Sequence, residues 1–289
     1  MTLEITPCNA TLGAVVRGVN LSQTLDEPTF AAIESAWHEY AVLIFPEQHL
    51  SHEEHREFTR RFGPLELSIR RTRPKTTGRL SNVQADGTVA PPESLQARFL
   101  VGNTYWHSDS SYKRVGAKAS ILAAHVTPSE GGETEWADMR AAYDVLDDDM
   151  KAYLEDKTAV HSYEFSHAPF GGMEVLNEEE LAHLTPVAHP VIRTHPATGR
   201  KNIFAGRHAS HILGEDIEES RKLLADLTNQ AGLPPRTYKH AWKPGDLVMW
   251  DNRCVLHRGH RWPDDQPRTM VRTTVAGDGM DDEWLLETA

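Results

Sequence analysis

A mainly β fold with flanking helices, a double-stranded β-helix or jelly roll, is what the sequence predicts, on three observations. Short β-prone runs outnumber helical ones. Two long stretches lack any periodicity. Strands and helices also fail to alternate in the regular way that a parallel nucleotide-binding sheet requires. No internal repeat or low-complexity linker divides the 289 residues, so one domain over 1–289 is the simplest partition.

The elements follow in order. Leu3 and Ile5 alternate with polar neighbours, and 14–19 is a short β-prone run. In 29–40, Phe30, Ile33 and Trp37 recur at spacings of three and four, which gives a helix one apolar face, and Pro28 suits its first turn. The run AVLIF at 41–45 is apolar throughout and reads as a buried strand. Ser51 with Glu54 forms a capping-box pattern, and the helix behind it carries Phe58 and Phe62 before Gly63-Pro64 stops it. Residues 68–100 read as a long loop rich in Thr, Pro and Gly, with a basic cluster and a short strand candidate at 80–83. A strand at 120–126 ends at Thr127-Pro128, and Gly131-Gly132 marks a turn. Residues 138–146 are helical, Asp147 caps a second short helix, and 162–187 is another irregular stretch. Two strands, 190–195 and 202–205, join across Thr198-Gly199. Asp216 with Glu219 opens a helix carrying Leu223, Leu224 and Leu227. Strands at 238–242, 247–250 and 270–275 complete the chain, the first two linked by the turn Lys243-Pro244-Gly245-Asp246.

Composition excludes several function classes. With 30 Lys and Arg against 42 Asp and Glu, the net charge is -12, and an acidic surface repels phosphate backbones, so no nucleic-acid partner is expected. Cys8 and Cys254 form no CxxC and no disulfide framework; two reduced thiols in a cytoplasmic protein are expected. Residues 1–10 carry no visible secretory signal, and no stretch approaches bilayer-spanning length, so no membrane association is expected.

The chemistry concentrates in three places. In Trp106-His107-Ser108-Asp109, an imidazole and a carboxylate two residues apart face the same side if the segment is extended. The run 248–253 reads as a strand entering a polar turn, and His257 beyond it could complete a two-histidine, one-carboxylate face on a metal with open positions. A closed structural zinc site would instead call for a cysteine-rich set of four. Arg272 offers a planar fork suited to a carboxylate. His260, three residues after His257, is a weaker second candidate, and His52 and His55 read as part of a solvated helix face.

The combination resembles the taurine dioxygenase / 2,4-dichlorophenoxyacetate dioxygenase family of 2-oxoglutarate-dependent enzymes, most specifically at 106–109, 131–134, 138–143 and 250–257. The resemblance implies His107, Asp109 and His257 as Fe(II) ligands and Arg272 on the distal carboxylate of 2-oxoglutarate, assisted by Thr134. Arg268 matches a second arginine of the C-terminal motif, and Asn103 a position on the substrate side of the iron. The implied reaction consumes 2-oxoglutarate and O2, releases succinate and CO2, and hydroxylates a small anionic organic substrate. Desaturation, epoxidation or cyclisation at the same iron is the alternative outcome, and a non-catalytic jelly-roll binding protein the alternative class.

The similarity is strongest to the aryloxyalkanoate-cleaving branch, in which hydroxylation next to an ether oxygen gives a hemiacetal that collapses to a phenol and an oxoacid. Where the taurine enzyme carries a sulfonate-binding histidine, this chain reads Leu67-Ser68-Ile69-Arg70. Arg207, Arg70 and Arg71 are the candidates for the substrate's anion, and Tyr105, Tyr112 and Phe165 for an aromatic wall. Segments 68–97 and 162–180 are expected as lids, and the family implies a homo-oligomer, dimer or tetramer.

Overall fold

The computed structural model describes residues 2–69, 77–281 and 285. β1 (Glu4–Pro7) and β2 (Ala14–Arg17) pair as an antiparallel hairpin, followed by α1 (Glu27–Tyr40). Asp26 caps α1 by accepting the Thr29 N–H, and Pro28 occupies the first turn, where an absent N–H costs no helical bond. The chain then turns through Ala41 into β3 (Val42–Phe45), and α2 (His52–Arg60) opens on the reciprocal cap of Ser51 and Glu54. Next come β4 (Thr77–Ser81), α3 (Leu95–Gly102), β5 (Ala119–Val126), β6 (Thr134–Asp138), α4 (Met139–Asp144), α5 (Asp148–Leu154) and β7 (Thr158–His161). α6 (Tyr163–His167) and α7 (Glu178–Ala182) precede β8 (Val187–Pro190), β9 (Ile192–Thr194), β10 (Lys201–Ile203) and β11 (Ala209–Ile212). α8 (Ile217–Ala231), capped by Asp216, leads to β12 (Thr237–His240), β13 (Leu247–Asp251), β14 (Val255–Gly259) and β15 (Thr269–Val275).

The central layer is a seven-stranded sheet in the order β1-β2-β3-β13-β5-β15-β4, antiparallel except where β2 meets β3. Its alternating side chains feed two cores. Leu43, Phe45, Ile121 and Met249 pack with Ile33, Trp37 and Phe58 of α1 and α2. Val42, Ile44, Leu122 and Val248 pack on the other face with Trp136 and Val255 of the three-stranded sheet β12-β6-β14. Burial on both faces explains why 41–45 is apolar without alternation, and each such fully buried side chain contributes about 1.5–3 kcal/mol. A third core gathers Leu224 and Leu227 of α8 with Ile203 and Ile212.

The expected jelly roll is corrected by the pairing. The strands form four separate sheets, of seven, two, three and three strands, and among the described residues none closes on itself into a barrel. Helix and strand hold comparable shares of the chain, so the fold is mixed α/β. Three of the helices fall in or at the end of stretches that read as irregular: α3 at the end of 68–100, and α6 and α7 within 162–187. Each is short and opens on a side-chain cap, Ser94, Ser162 or Asn177. No helix among the described residues is long and apolar enough to cross a membrane.

Candidate active site

His107 does not lie in a continuous strand. It forms an isolated antiparallel bridge with His257 of β14, and the chain then turns, with Ser110 at φ 57°. Asp109 sits in that turn, so the i,i+2 pair converges through a bend and not through a pleat. The candidate ligand atoms of His107, Asp109 and His257 lie within 4.8 Å of one another, and all three residues are buried. His257 Nε2 stands 3.7 Å from Asp109 Oδ2. The His107 and His257 rings are 4.1 Å apart between centroids.

Protonation states follow from the surroundings. Burial holds the His107 imidazolium well below its ordinary range, with His257 and Arg207 adding to the effect. Burial likewise lowers His257 to about 4, against the opposing pull of Asp109. Both rings are therefore neutral near pH 7. The Tyr105 carbonyl can only accept, so His107 donates through Nδ1 at 2.8 Å and keeps its Nε2 lone pair free. Burial alone would raise the Asp109 carboxyl, but the neighbouring Arg272 guanidinium outweighs it and holds the group well below the usual carboxylate range. Two neutral imidazoles and one carboxylate, with no thiolate, suit Fe(II) and leave half of an octahedron for other ligands.

Two residues that the sequence reading passed over fix Asp109. Ser120 donates its hydroxyl to Asp109 Oδ2 at 2.6 Å, and Asn252 donates to Ser120 Oγ at 3.0 Å. Asn252 Oδ1 in turn accepts the Asp109 N–H at 3.2 Å and the Trp250 indole N–H at 3.0 Å. Asn252 stands inside the informative 250–257 run, so its place was visible while its partners were not.

Two cavities meet at the ligand group, and Asn103, His107 and Arg272 line both. The first also holds Thr134, His257 and Arg268. Thr134 Oγ1 accepts the Trp242 indole N–H at 3.0 Å, which leaves its own proton to donate. Arg268 donates through Nε and Nη2 to the Gly132 carbonyl at 3.1 and 2.9 Å, bracing the Gly-Gly turn that presents Thr134. Arg272 Nη1 meets Asp109 Oδ1 at 2.5 Å.

The second cavity is lined by Asp109, Tyr112, Tyr163, His167, Arg207 and His208, among others. Arg207 donates to the Gly102 carbonyl and to His167 Nε2, the latter at 2.8 Å, while its buried Nε has no hydrogen-bond partner among the described residues. Burial pushes its guanidinium down to about 10. Tyr163 and His167 were not singled out from sequence, because only α6 brings them here, while His208 lies in the run 206–209 that resembles a pocket segment of the aryloxyalkanoate branch.

Other candidates lie elsewhere. Tyr105 is 52% exposed and packs on Phe170, and Phe165 is 39% exposed beneath Arg221; neither lines this cavity. Arg70 and Arg71 lie outside the described residues. His260 lines the first cavity, but its Nε2 is engaged by Glu135 Oε2 at 3.0 Å and it is not part of the ligand group. His55 is buried and bonded to Thr273 Oγ1, which corrects the expectation of a solvated face. A second clustered set, His195, Asp251 and Cys254, is also buried. There Asp251 is already taken by the Arg253 fork and by His195 at 2.9 Å, so its charge is neutralised without a metal.

Comparisons with known proteins agree with this geometry. Residues 4–274 match the family model described as Taurine catabolism dioxygenase TauD, TfdA family. The (S)-phenoxypropionate/alpha-ketoglutarate-dioxygenase of Sphingobium herbicidovorans is 44% identical over 282 residues, covering 95% of each chain. The alpha-ketoglutarate-dependent 2,4-dichlorophenoxyacetate dioxygenase of Cupriavidus pinatubonensis is 39% identical, over 97% of this chain and 100% of its own. The crystal structure of AAD-2 in complex with Mn(II) and N-oxalylglycine superposes with a TM-score of 0.88 at 40% identity, covering 96% of this chain and 98% of that one. A match over nearly the whole length, joined to a buried ligand group with two neutral imidazoles and one carboxylate, places the chain in the Taurine catabolism dioxygenase TauD, TfdA family, as an Fe(II)- and 2-oxoglutarate-dependent non-haem iron dioxygenase.

Proposed function

We propose that this dioxygenase hydroxylates a small organic acid of the aryloxyalkanoate type, at the carbon beside the ether oxygen. The observation that carries the reading is Arg207, a partly buried cation whose buried Nε has no partner among the described residues, in the cavity that His107 and Asp109 line. A carboxylate meeting that fork would satisfy the orphaned donor, and a charge-assisted bond is worth roughly 1.5–3 kcal/mol. Tyr112, Tyr163 and Phe99 give the same cavity aromatic walls. The names of the relatives, which specify phenoxypropionate and 2,4-dichlorophenoxyacetate, support the same class.

In this reading His107, Asp109 and His257 hold the iron. When bound, iron supplies the activation of O2 coupled to oxidative decarboxylation of 2-oxoglutarate. Arg272 and Thr134 hold the distal carboxylate of 2-oxoglutarate in the first cavity, the hydroxyl donating the proton that Trp242 leaves free. Arg268 keeps Thr134 in place through the Gly132 carbonyl. Asn103, on both cavities, stands where substrate and co-substrate approach each other. Arg207 fixes one end of the substrate so that its reacting carbon rests beside the ligand group, and placement of this kind supplies most of what the protein adds. Segments 68–97 and 162–180 act as lids in this reading; residues 70–76 lie outside the described ones, and Ser68, Gly78, Tyr163 and His167 line the cavity. The reading carries with it a cytoplasmic homodimer or homotetramer, which light scattering tests.

The decisive experiment is a panel of aryloxyalkanoates, sulfonates, sulfate esters and acyl amino acids, read by succinate release and by phenol formation. Aryloxyalkanoates are expected to give both products in equal amounts. Arg207→Ala should raise the KM for the acid at least tenfold with little change for 2-oxoglutarate. Turnover with sulfonates or sulfate esters alone would overturn the assignment, and loss of two hydrogens without oxygen gain would replace hydroxylation by desaturation.

A further inference from the structure

Behind the ligand group lies a cavity that the reaction does not use. Its wall carries four permanent cations, Arg114, Lys118, Arg193 and Arg253, but one carboxylate, Asp278. In a chain of net charge -12 this is a local reversal of sign. Three of the cations have partners. Arg114 pairs with Asp281, Lys118 stands 3.7 Å from Asp278, and Arg253 forks onto Asp251 with its Nη2 2.6 Å from Oδ2. Arg193 meets no carboxylate among the described residues.

The neighbours of Arg193 are arranged for a cation and offer it no countercharge. Its guanidinium lies 3.7 Å over the Phe204 ring, and its Nη2 reaches His189 Nδ1 at 2.7 Å. His189 Nε2 faces the carbonyls of Ser111 and Lys113 at 2.9 and 3.1 Å. Carbonyls only accept, so the ring proton sits on Nε2 and Nδ1 accepts from Arg193. That imidazole is neutral, and burial lowers it to about 4. Nε and Nη1 of Arg193 make no hydrogen bond among the described residues, so one edge of a planar fork remains for an oxyanion.

The cavity also touches the catalytic segment from two directions. Asn252 forms part of its wall and holds Asp109 from the other side. Through His189, Arg193 is bonded to the carbonyls of Ser111 and Lys113, just beyond Asp109.

We propose that this cavity is a second ligand site, taking a small oxyanion, a phosphate or a carboxylate, on Arg193 with Lys118, Arg114 and Arg253 around it. Calorimetric titration of the iron-loaded enzyme with inorganic phosphate at low ionic strength tests it, with 2-oxoglutarate saturating the active site. Saturable binding is expected, weakened at least tenfold by Arg193→Gln and a few-fold by the surface variant Arg114→Gln, and retained by His107→Ala. The Arg114 variant keeps the test open if Arg193→Gln does not fold. A parallel succinate titration on His107→Ala separates the two anion chemistries, and binding of either through Arg193 supports the site. No saturable binding, binding indifferent to both arginine variants, or binding lost with His107→Ala would overturn it. So would a dimer that dissociates as phosphate binds and that Arg193→Gln also weakens, since a carboxylate of a second copy would then be the occupant.

Discussion

His107 and His257 exchange backbone hydrogen bonds in both directions, the His107 N–H to the His257 carbonyl at 3.0 Å and the reverse at 2.8 Å. The spacing of the two imidazoles is therefore set by main chain, and the side chains are free to serve the metal. Substituting either ring removes a ligand without removing the clamp.

His107→Ala is accordingly expected to abolish succinate release coupled to substrate while leaving the circular dichroism spectrum unchanged. Iron content after desalting should fall well below one per chain. A variant that turns over at the wild-type rate would remove His107 from the ligand set.

Arg272→Ala should raise the KM for 2-oxoglutarate by about 30-fold or more, from a loss of roughly 2–5 kcal/mol, while the KM for the organic acid moves little. Arg272→Lys should recover part of this, since a point charge replaces a fork. Equal rises in both constants would show that the guanidinium acts mainly through Asp109, its partner at 2.5 Å.

Asn252 holds Asp109 by its N–H and through Ser120, so Asn252→Ala should weaken Fe(II) binding about 10–100-fold. Ser120→Ala should cost less, because one bond to the carboxylate is lost and the backbone hold stays. Anaerobic titration with Fe(II) reads both, and wild-type affinity in Asn252→Ala would reduce the residue to packing.

Acid sensitivity should arise in part at His55. This imidazole is buried between α2 and β15 and lies 2.9 Å from Thr273 Oγ1; burial lowers it to about 3, with His125 and His52 adding to the effect. The unfolded chain then binds a proton that the folded chain refuses, at every pH between the two values. The contribution is intact above about 6.5 and is lost as pH falls toward 3, at up to about 1.4 kcal/mol per pH unit. His55→Gln should flatten the fall of stability with pH by up to that slope, measured by urea unfolding between pH 7 and 4.5. Unchanged slopes would place the sensitivity elsewhere, for example at His189.

Much of this protein was written locally. α1, α2 and α8 carry their caps and apolar faces in sequence, and β3, β5, β13 and β15 are apolar enough to stand out because both faces of the central sheet are covered. β6 and β14 did not stand out, since residues such as Thr134, Glu135 and His257 serve the cavities or surface partners and break the alternation. α3, α6 and α7 are too short for periodicity to show. Whether strands close into a barrel depends on pairings between distant segments, which no local pattern records. The three candidate ligands stood out through the family resemblance that their segments carry, and the fold brings them together. Ser120, His167 and Arg193 did not, because a serine, a histidine and an arginine acquire their roles only from what the fold sets beside them.

The clamp between His107 and His257 also carries a meaning for biosynthesis. One half of the iron grip is made long before the other leaves the ribosome, and neither half holds the ion alone. Capture by all three side chains can only follow the pairing of β14 with β6, so an iron-loaded molecule reports that the chain has been made and folded as far as His257.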